Sequence, residues 1–398
     1  MGEFQSARAH SLTALALTEA IHNPFFLQQG LAGHTQALIE VGEFSDARTA
    51  LDRLRQLSQS TGNRQFSDFY ANYLEAHLLY KPGGSINDMV QALQRSFTVG
   101  AKHQWVSMVF WQPSLITRLC VLALQYNIEP DYAKRLIRLY HLTPPESGEA
   151  LEHWPYPLKI YTLGRFAIVV DDATLAFEGR THKKNLDLLK ALIACGGREV
   201  SEQRLCDALW PDAEAARNNF KITLHRLRKA LDHDAIQLNE SKLTLDGARC
   251  WVDVWSLERG LNHITAPTPQ WTTTRELLRQ GEHVLQLYQG SFLHSEDAAF
   301  VITLRERLRS KLVRAIAHIA AHLQDHAQHE LAQSWYQRGI ELEPLVEAFY
   351  QGLMRTCQVL QRPAAGLAAY ERCRTVLAAQ LRVAPSPATE ALRKALRG

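Results

Sequence analysis

From Gln5 to about Leu142 the apolar residues recur at steps of three and four, and the pattern breaks about every 20 residues. The breaks fall at "HNP" (His22 to Pro24), "VGEFSD" (Val41 to Asp46), "STGN" (Ser60 to Asn63), "KPGGS" (Lys81 to Ser85) and, after a longer interval, "NIEPD" (Asn127 to Asp131). A short helix with one apolar stripe cannot bury it alone, so helices at this spacing pair and stack. The expectation for residues 5–142 is a tetratricopeptide-like solenoid, with an irregular helical bundle as the alternative. "EFSDARTALDRL" reads as the turn and first helix of such a repeat.

"TPPESGEALEHWPYP", Thr143 to Pro157, carries four prolines and no helical period, so it marks a linker. The period then changes. "LKIYTLGRFAIVVDDATLAF" alternates and is rich in β-branched and aromatic residues, which predicts short antiparallel strands turning at Leu163 to Arg165 and at Asp171-Asp172. Helices are expected at Lys183 to Ala194, Ser201 to Leu209 with Ser201 as cap, and Glu214 to Leu231. "AIQLNESKLTLD" predicts a hairpin around Asn239, Glu240 and Ser241. Sheet, three helices and hairpin in this order make a winged helix-turn-helix over 158–253.

From Val254 the helical period returns, with Pro267 and Pro269 in a loop, one long helix from Phe300 to Leu323, and helix pairs about 34 residues apart beyond it. The fold class is therefore mainly α: two tetratricopeptide-like blocks, 5–142 and 254–398, flank an α+β winged helix.

Composition narrows the function. The 398 residues carry a net charge of +3, so any surface for a polyanion has to be local. No apolar run approaches the roughly 20 residues that span a bilayer, and no secretory signal opens the chain, so the cytoplasm is the expected compartment and no membrane partner is expected. The six cysteines are scattered without metal-ligand spacing. His318, His322, His326 and His329 step by four, four and three along one helix face, read as solvated. Trp105, Phe110 and Trp111 read as core, with a ligand pocket second. No nucleophile elbow, zinc-protease helix, kinase signature or phosphate-binding glycine loop occurs, so neither an enzyme nor a cofactor is expected. The opening Met-Gly-Glu-Phe reads as a cloning remnant, which would make the chain a fragment.

"RNNFKITLHRLRKAL", Arg217 to Leu231, holds five Lys and Arg and no carboxylate. Phe220, Leu224, Leu227 and Leu231 form an apolar seat, and a polar stripe lies opposite. A merely solvated face would mix signs and carry Glu to Lys pairs four apart. Between Leu158 and Trp255 there are 15 Lys and Arg against 14 Asp and Glu, net +1, so the positive charge is segregated rather than abundant. That pattern suits a helix docked on nucleic acid in one orientation. Asn218, Asn219, Thr223 and His225 are candidates to read base edges, and Arg217, Lys221, Arg226, Arg228 and Lys229 to meet phosphates or bases.

"FKITLHRLRKAL" resembles the recognition helix of OmpR/PhoB-type winged helices, and "SEQRLCDALWPD" resembles the helix before it. The resemblance implies a phosphate contact from the indole of Trp210, with burial at the turn as the equal alternative, and places Ser241 and Lys242 in the wing against flanking DNA. Phe220-Lys221 departs from relatives, so no sequence preference carries over. "YQGSFLHSEDAAFVITLRERLRSKL", "AAYERCRTVLAAQL" and the closing "APSPAT" resemble the bacterial transcriptional activator domain of SARP-type regulators, and "WQPSLITRLCVLALQYNIEPDYAKRLIRLYHLTPP" resembles the end of the MalT-like helical sensor region.

Together these imply a transcriptional regulator, an activator by family type, with promoter double-stranded DNA and RNA polymerase as partners. They also imply a small-molecule or protein ligand at the helical repeats, a homo-oligomer, and association with the nucleoid. The alternatives are a helical scaffold or signalling protein whose winged helix binds protein, and the output half of a larger ATP-dependent regulator.

Overall fold

The computed structural model describes residues 2–60, 64–80, 84–106, 112–145, 152–175, 183–210, 213–231, 233–266 and 273–397. The chain forms two compact units, Met1–Pro155 and Tyr156–Gly398.

In the first unit the described helices are α1 (Gly2–Ala20), α2 (Pro24–Val41), α3 (Phe44–Ser60), α4 (Arg64–Leu79), α5 (Ile86–His103), α6 (Pro113–Gln125) and α7 (Pro130–Leu139). Their limits follow local chemistry. Asn23 caps α2 through the Phe25 N–H, with Pro24 in the first turn, and Gly42 ends it in the left-handed region at φ 84. Successive helices pack on one another, and Leu51, Leu54, Leu74, Ala92, Leu93, Leu119 and Leu136 close the core between them. All five breaks read from the sequence separate helices. A sixth, between α5 and α6, was not marked by turn residues. Trp105 lies at its start, against Phe66, Phe69 and the His103 ring. Phe110 and Trp111 lie outside the described residues.

The second unit opens with β1 (Leu158–Tyr161), β2 (Ala167–Val170) and β3 (Ala173–Thr174), antiparallel neighbours as the alternation predicts, with Asp171 and Asp172 at positive φ in the turn. The helices α8 (Lys183–Ala194), α9 (Glu202–Leu209) and α10 (Ala213–Ala230) follow. Ser201 caps α9 by accepting the Arg204 N–H at 3.3 Å. It also belongs to β4 (Val200–Ser201), which the alternation did not announce. β4 pairs with β6 (Lys242–Leu245), and β6 with β5 (Ile236–Asn239), forming the three-stranded wing.

β7 (Cys250–Val252) returns to pair in parallel with β1, Leu158 opposite Cys250, and runs directly into α11 (Asp253–Ile264). The boundary expected at 253/254 thus falls at a buried side chain. Asp253, 3% exposed, accepts the Thr162 N–H at 2.6 Å, the Thr162 hydroxyl at 2.6 Å and the Leu163 N–H at 2.8 Å. Burial pushes its carboxyl up against the pull of those donors.

The chain continues through α12 (Thr274–Leu287), α13 (Ala299–Asp325), α14 (His329–Leu342), α15 (Glu347–Val359), α16 (Pro363–Leu381) and α17 (Pro387–Arg397). Backbone pairing ties the segment after β1 to the one after α12: Leu163 bridges Phe292, and the Leu293 N–H reaches the Thr162 carbonyl at 2.9 Å. So close an approach needs glycine on both sides. A Cβ on Gly164, at φ 73, would meet the Gln289 carbonyl oxygen at 2.4 Å, and one on Gly290 would meet the Gly164 Cα at 2.8 Å. Arg305 adds three hydrogen bonds, to the carbonyls of Phe292, Leu293 and Glu296.

α14 and α16 start at His329 and Pro363, the spacing read from the sequence. The four histidines do not share one helix, because α13 ends at Asp325 and His329 opens α14. Pro267 and Pro269 lie outside the described residues. Among the described residues no group of three or more side chains could hold a metal ion, and no helix is long and apolar enough to cross a membrane.

Candidate nucleic-acid interface

Helix α10 has two faces. Phe220, Leu224 and Leu227 are buried against α8 and α9, as the apolar seat requires. Arg217, Asn218, Lys221, His225, Arg226 and Lys229 are exposed on the other side, and Asn219 is half-buried at the margin.

Thr223 does not belong to that exposed set. It is 7% exposed and sits on the buried side, so its expected role at base edges is corrected: its side chain is turned toward the core. Arg228 is also partly withdrawn. It is half-buried, and its Nε donates to the Ile236 carbonyl at 2.9 Å, tying the helix to the first residue of β5. Ile222 is the residue that sequence reasoning missed. It is 43% exposed amid the polar stripe, between Lys221 and His225. The signal was present in its spacing, four residues from Asn218 and Arg226, but an apolar residue at a stripe's edge is ordinarily assigned to the core.

The cations are not all unopposed. Arg217 Nε lies 3.5 Å from Glu202 on α9, and Lys242 Nζ lies 3.8 Å from Glu199. Both pairs are exposed at the cation, and such pairs contribute little stability, so a phosphate can compete for either side chain. In the wing, Glu240 and Ser241 occupy the two turn positions at φ 48 and 58, the left-handed pair that closes a tight hairpin. This holds Ser241 and Lys242 exposed at the tip. Trp210 ends α9 half-buried, with Lys184 Nζ 6.0 Å from its ring centroid.

Beside the carboxy-terminal half of α10 an open cleft of about 590 Å³ is lined by His225, Arg228, Lys229 and Arg249, together with Asp171. The arrangement offers an exposed helix with amide, imidazole and cationic groups on one side, a cation-lined cleft at one end, and a polar hairpin tip. A groove-bound helix with flanking phosphate contacts uses these same groups.

Residues 252–397 match the family model of the bacterial transcriptional activator domain. No curated protein matches the chain. Among solved structures, Mycobacterium tuberculosis EmbR in complex with a low affinity phosphopeptide is similar at 20% identity and a TM-score of 0.46. That similarity covers 61% of this chain and 65% of the other.

Proposed function

We propose that this chain, whose residues 252–397 belong to the bacterial transcriptional activator domain family, is a sequence-specific DNA-binding transcriptional regulator. The observation that carries the reading is the one-sided exposure of α10, with Asn218, Lys221, Ile222, His225, Arg226 and Lys229 outward and its apolar seat inward. On this proposal α10 enters the major groove of promoter DNA. Asn218 and His225 meet base edges, Lys221, Arg226 and Lys229 meet bases or phosphates, and the wing tip at Ser241 and Lys242 meets flanking backbone. Arg217, Asn219, Arg228 and Trp210 border that surface. The activator domain contacts RNA polymerase, and the cytoplasm is the compartment.

The test is fluorescence anisotropy with DNA from the adjacent promoter across a salt series. Affinity should fall steeply with salt, and Lys221→Ala combined with Arg226→Ala should weaken binding and reduce the slope by about one unit per lost phosphate contact. A folded chain that binds neither this DNA nor random duplex at low salt would overturn the reading, and a scaffold role would replace it.

A further inference from the structure

Three helices of the first unit, α2, α4 and α6, direct polar side chains at one another. His77 Nε2 on α4 lies 3.1 Å from Glu40 Oε1 on α2. Gln36 Nε2 donates to Gln112 Oε1, at the start of α6, at 3.3 Å. Hydrogen bonds from His77 and Gln112 hold the Glu40 carboxyl below its ordinary range in spite of burial, and Arg118 is close enough to act on both Glu40 and Tyr73.

Beyond the Glu40 oxygen that faces His77, four atoms of this cluster are buried without a hydrogen-bond partner among the described residues: Tyr73 Oη, His77 Nδ1, Gln36 Oε1 and Arg118 Nε. Tyr73 is 2% exposed and His77 7%. Buried polar atoms are ordinarily satisfied, because leaving one unpaired forfeits its hydration with nothing in exchange. Elsewhere among the described residues such atoms occur singly on separate helices, as at His329 on α14 and Arg393 on α17. In the first unit they converge. The Phe69 ring stacks on Tyr73 at 6.4 Å, and the Arg118 guanidinium lies 5.4 Å from the centroid of Tyr80, which is 43% exposed, so the cluster reaches solvent at that end.

The unmet valences define a ligand. Arg118 and Tyr73 offer N–H and O–H donors beside a cation; Gln36 offers an acceptor near the Glu40 anion; His77 Nδ1 takes either role with its tautomer. A carboxylate alone would be repelled by Glu40, and an amine alone by Arg118. A molecule bearing both charges satisfies each. We propose that this cluster binds a free α-amino acid, with its carboxylate on Arg118 and Tyr73 and its ammonium on Glu40 and Gln36. The site lies wholly in the first unit, and its occupancy is measurable without DNA.

Thermal shift and calorimetry on the full chain, with each standard L-amino acid at about 5 mM, test this. At least one should raise the melting temperature in a saturable way, while its deaminated acid and decarboxylated amine should not. Tyr73→Phe removes only the unpartnered oxygen; it should leave the ligand-free melting temperature unchanged and weaken affinity about tenfold. Glu40→Gln should also weaken it. The proposal is overturned if no amino acid shifts the transition, in which case bound water satisfies these atoms. It is overturned equally if the acid or amine alone binds as well, or if Tyr73→Phe binds undiminished.

Discussion

Ile222 and Thr223 are neighbours on α10 and face opposite ways, one 43% exposed and the other 7%. Their roles follow from that orientation rather than from polarity. On the proposed docking of α10 in the major groove, an exposed branched alkyl group in the stripe suits a thymine methyl, so Ile222→Ala should weaken the preference for thymine at one operator position by roughly tenfold, from about 1–2 kcal/mol of lost apolar contact. Selection from position-randomised duplexes reads this directly, and the salt slope should stay unchanged because no charge is lost. The stripe itself was legible in the sequence, since its side chains recur at helical steps. Its edges were not. Whether Thr223 or Ile222 lies inside depends on where α8 and α9 press against α10, and a helical wheel contains neither neighbour.

Among the helices, the closing one, α17, is held to α15 through a carboxylate. Glu347 on α15 accepts the Ser386 N–H and the Ser386 hydroxyl, each at 2.8 Å, and also the Thr389 hydroxyl. Burial pushes the Glu347 carboxyl up, but these donors outweigh it and hold it below the usual glutamate value of 4.5. A depressed carboxyl contributes stability above its unfolded pKa and loses it as pH falls through the folded one. Glu347→Gln should therefore lower the melting temperature at pH 7, and the gap from the parent should close as pH falls below about 4. Melting curves by circular dichroism at both pH values check it, and a gap that persists in acid would remove the Glu347 charge as the cause. The segment "APSPAT" was recognisable in the sequence as a motif, but its partner lies 39 residues upstream of Ser386 and nothing local points to it.

On the largest scale, the second unit is continuous through Asp253, which joins the end of β1 to the start of α11. Asp253→Ala would strand the Thr162 and Leu163 N–H groups and the Thr162 hydroxyl in a buried site, costing about 2–4 kcal/mol. Urea unfolding should show the loss as a shifted midpoint, and an unchanged midpoint would mean that water replaces the carboxylate. The helical periods and most of their breaks, the strand alternation, the hairpin and the apolar seat of α10 could all be read before any fold was known, because each is encoded in residues a few positions apart. The parallel pairing of β1 with β7, the carboxylates opposing Arg217 and Lys242, the Asp253 junction, and the meeting of Gln36, Tyr73, His77 and Arg118 emerged with the folded chain alone. Those contacts join residues far apart in the chain, and their energies depend on burial and distance, which no local pattern carries.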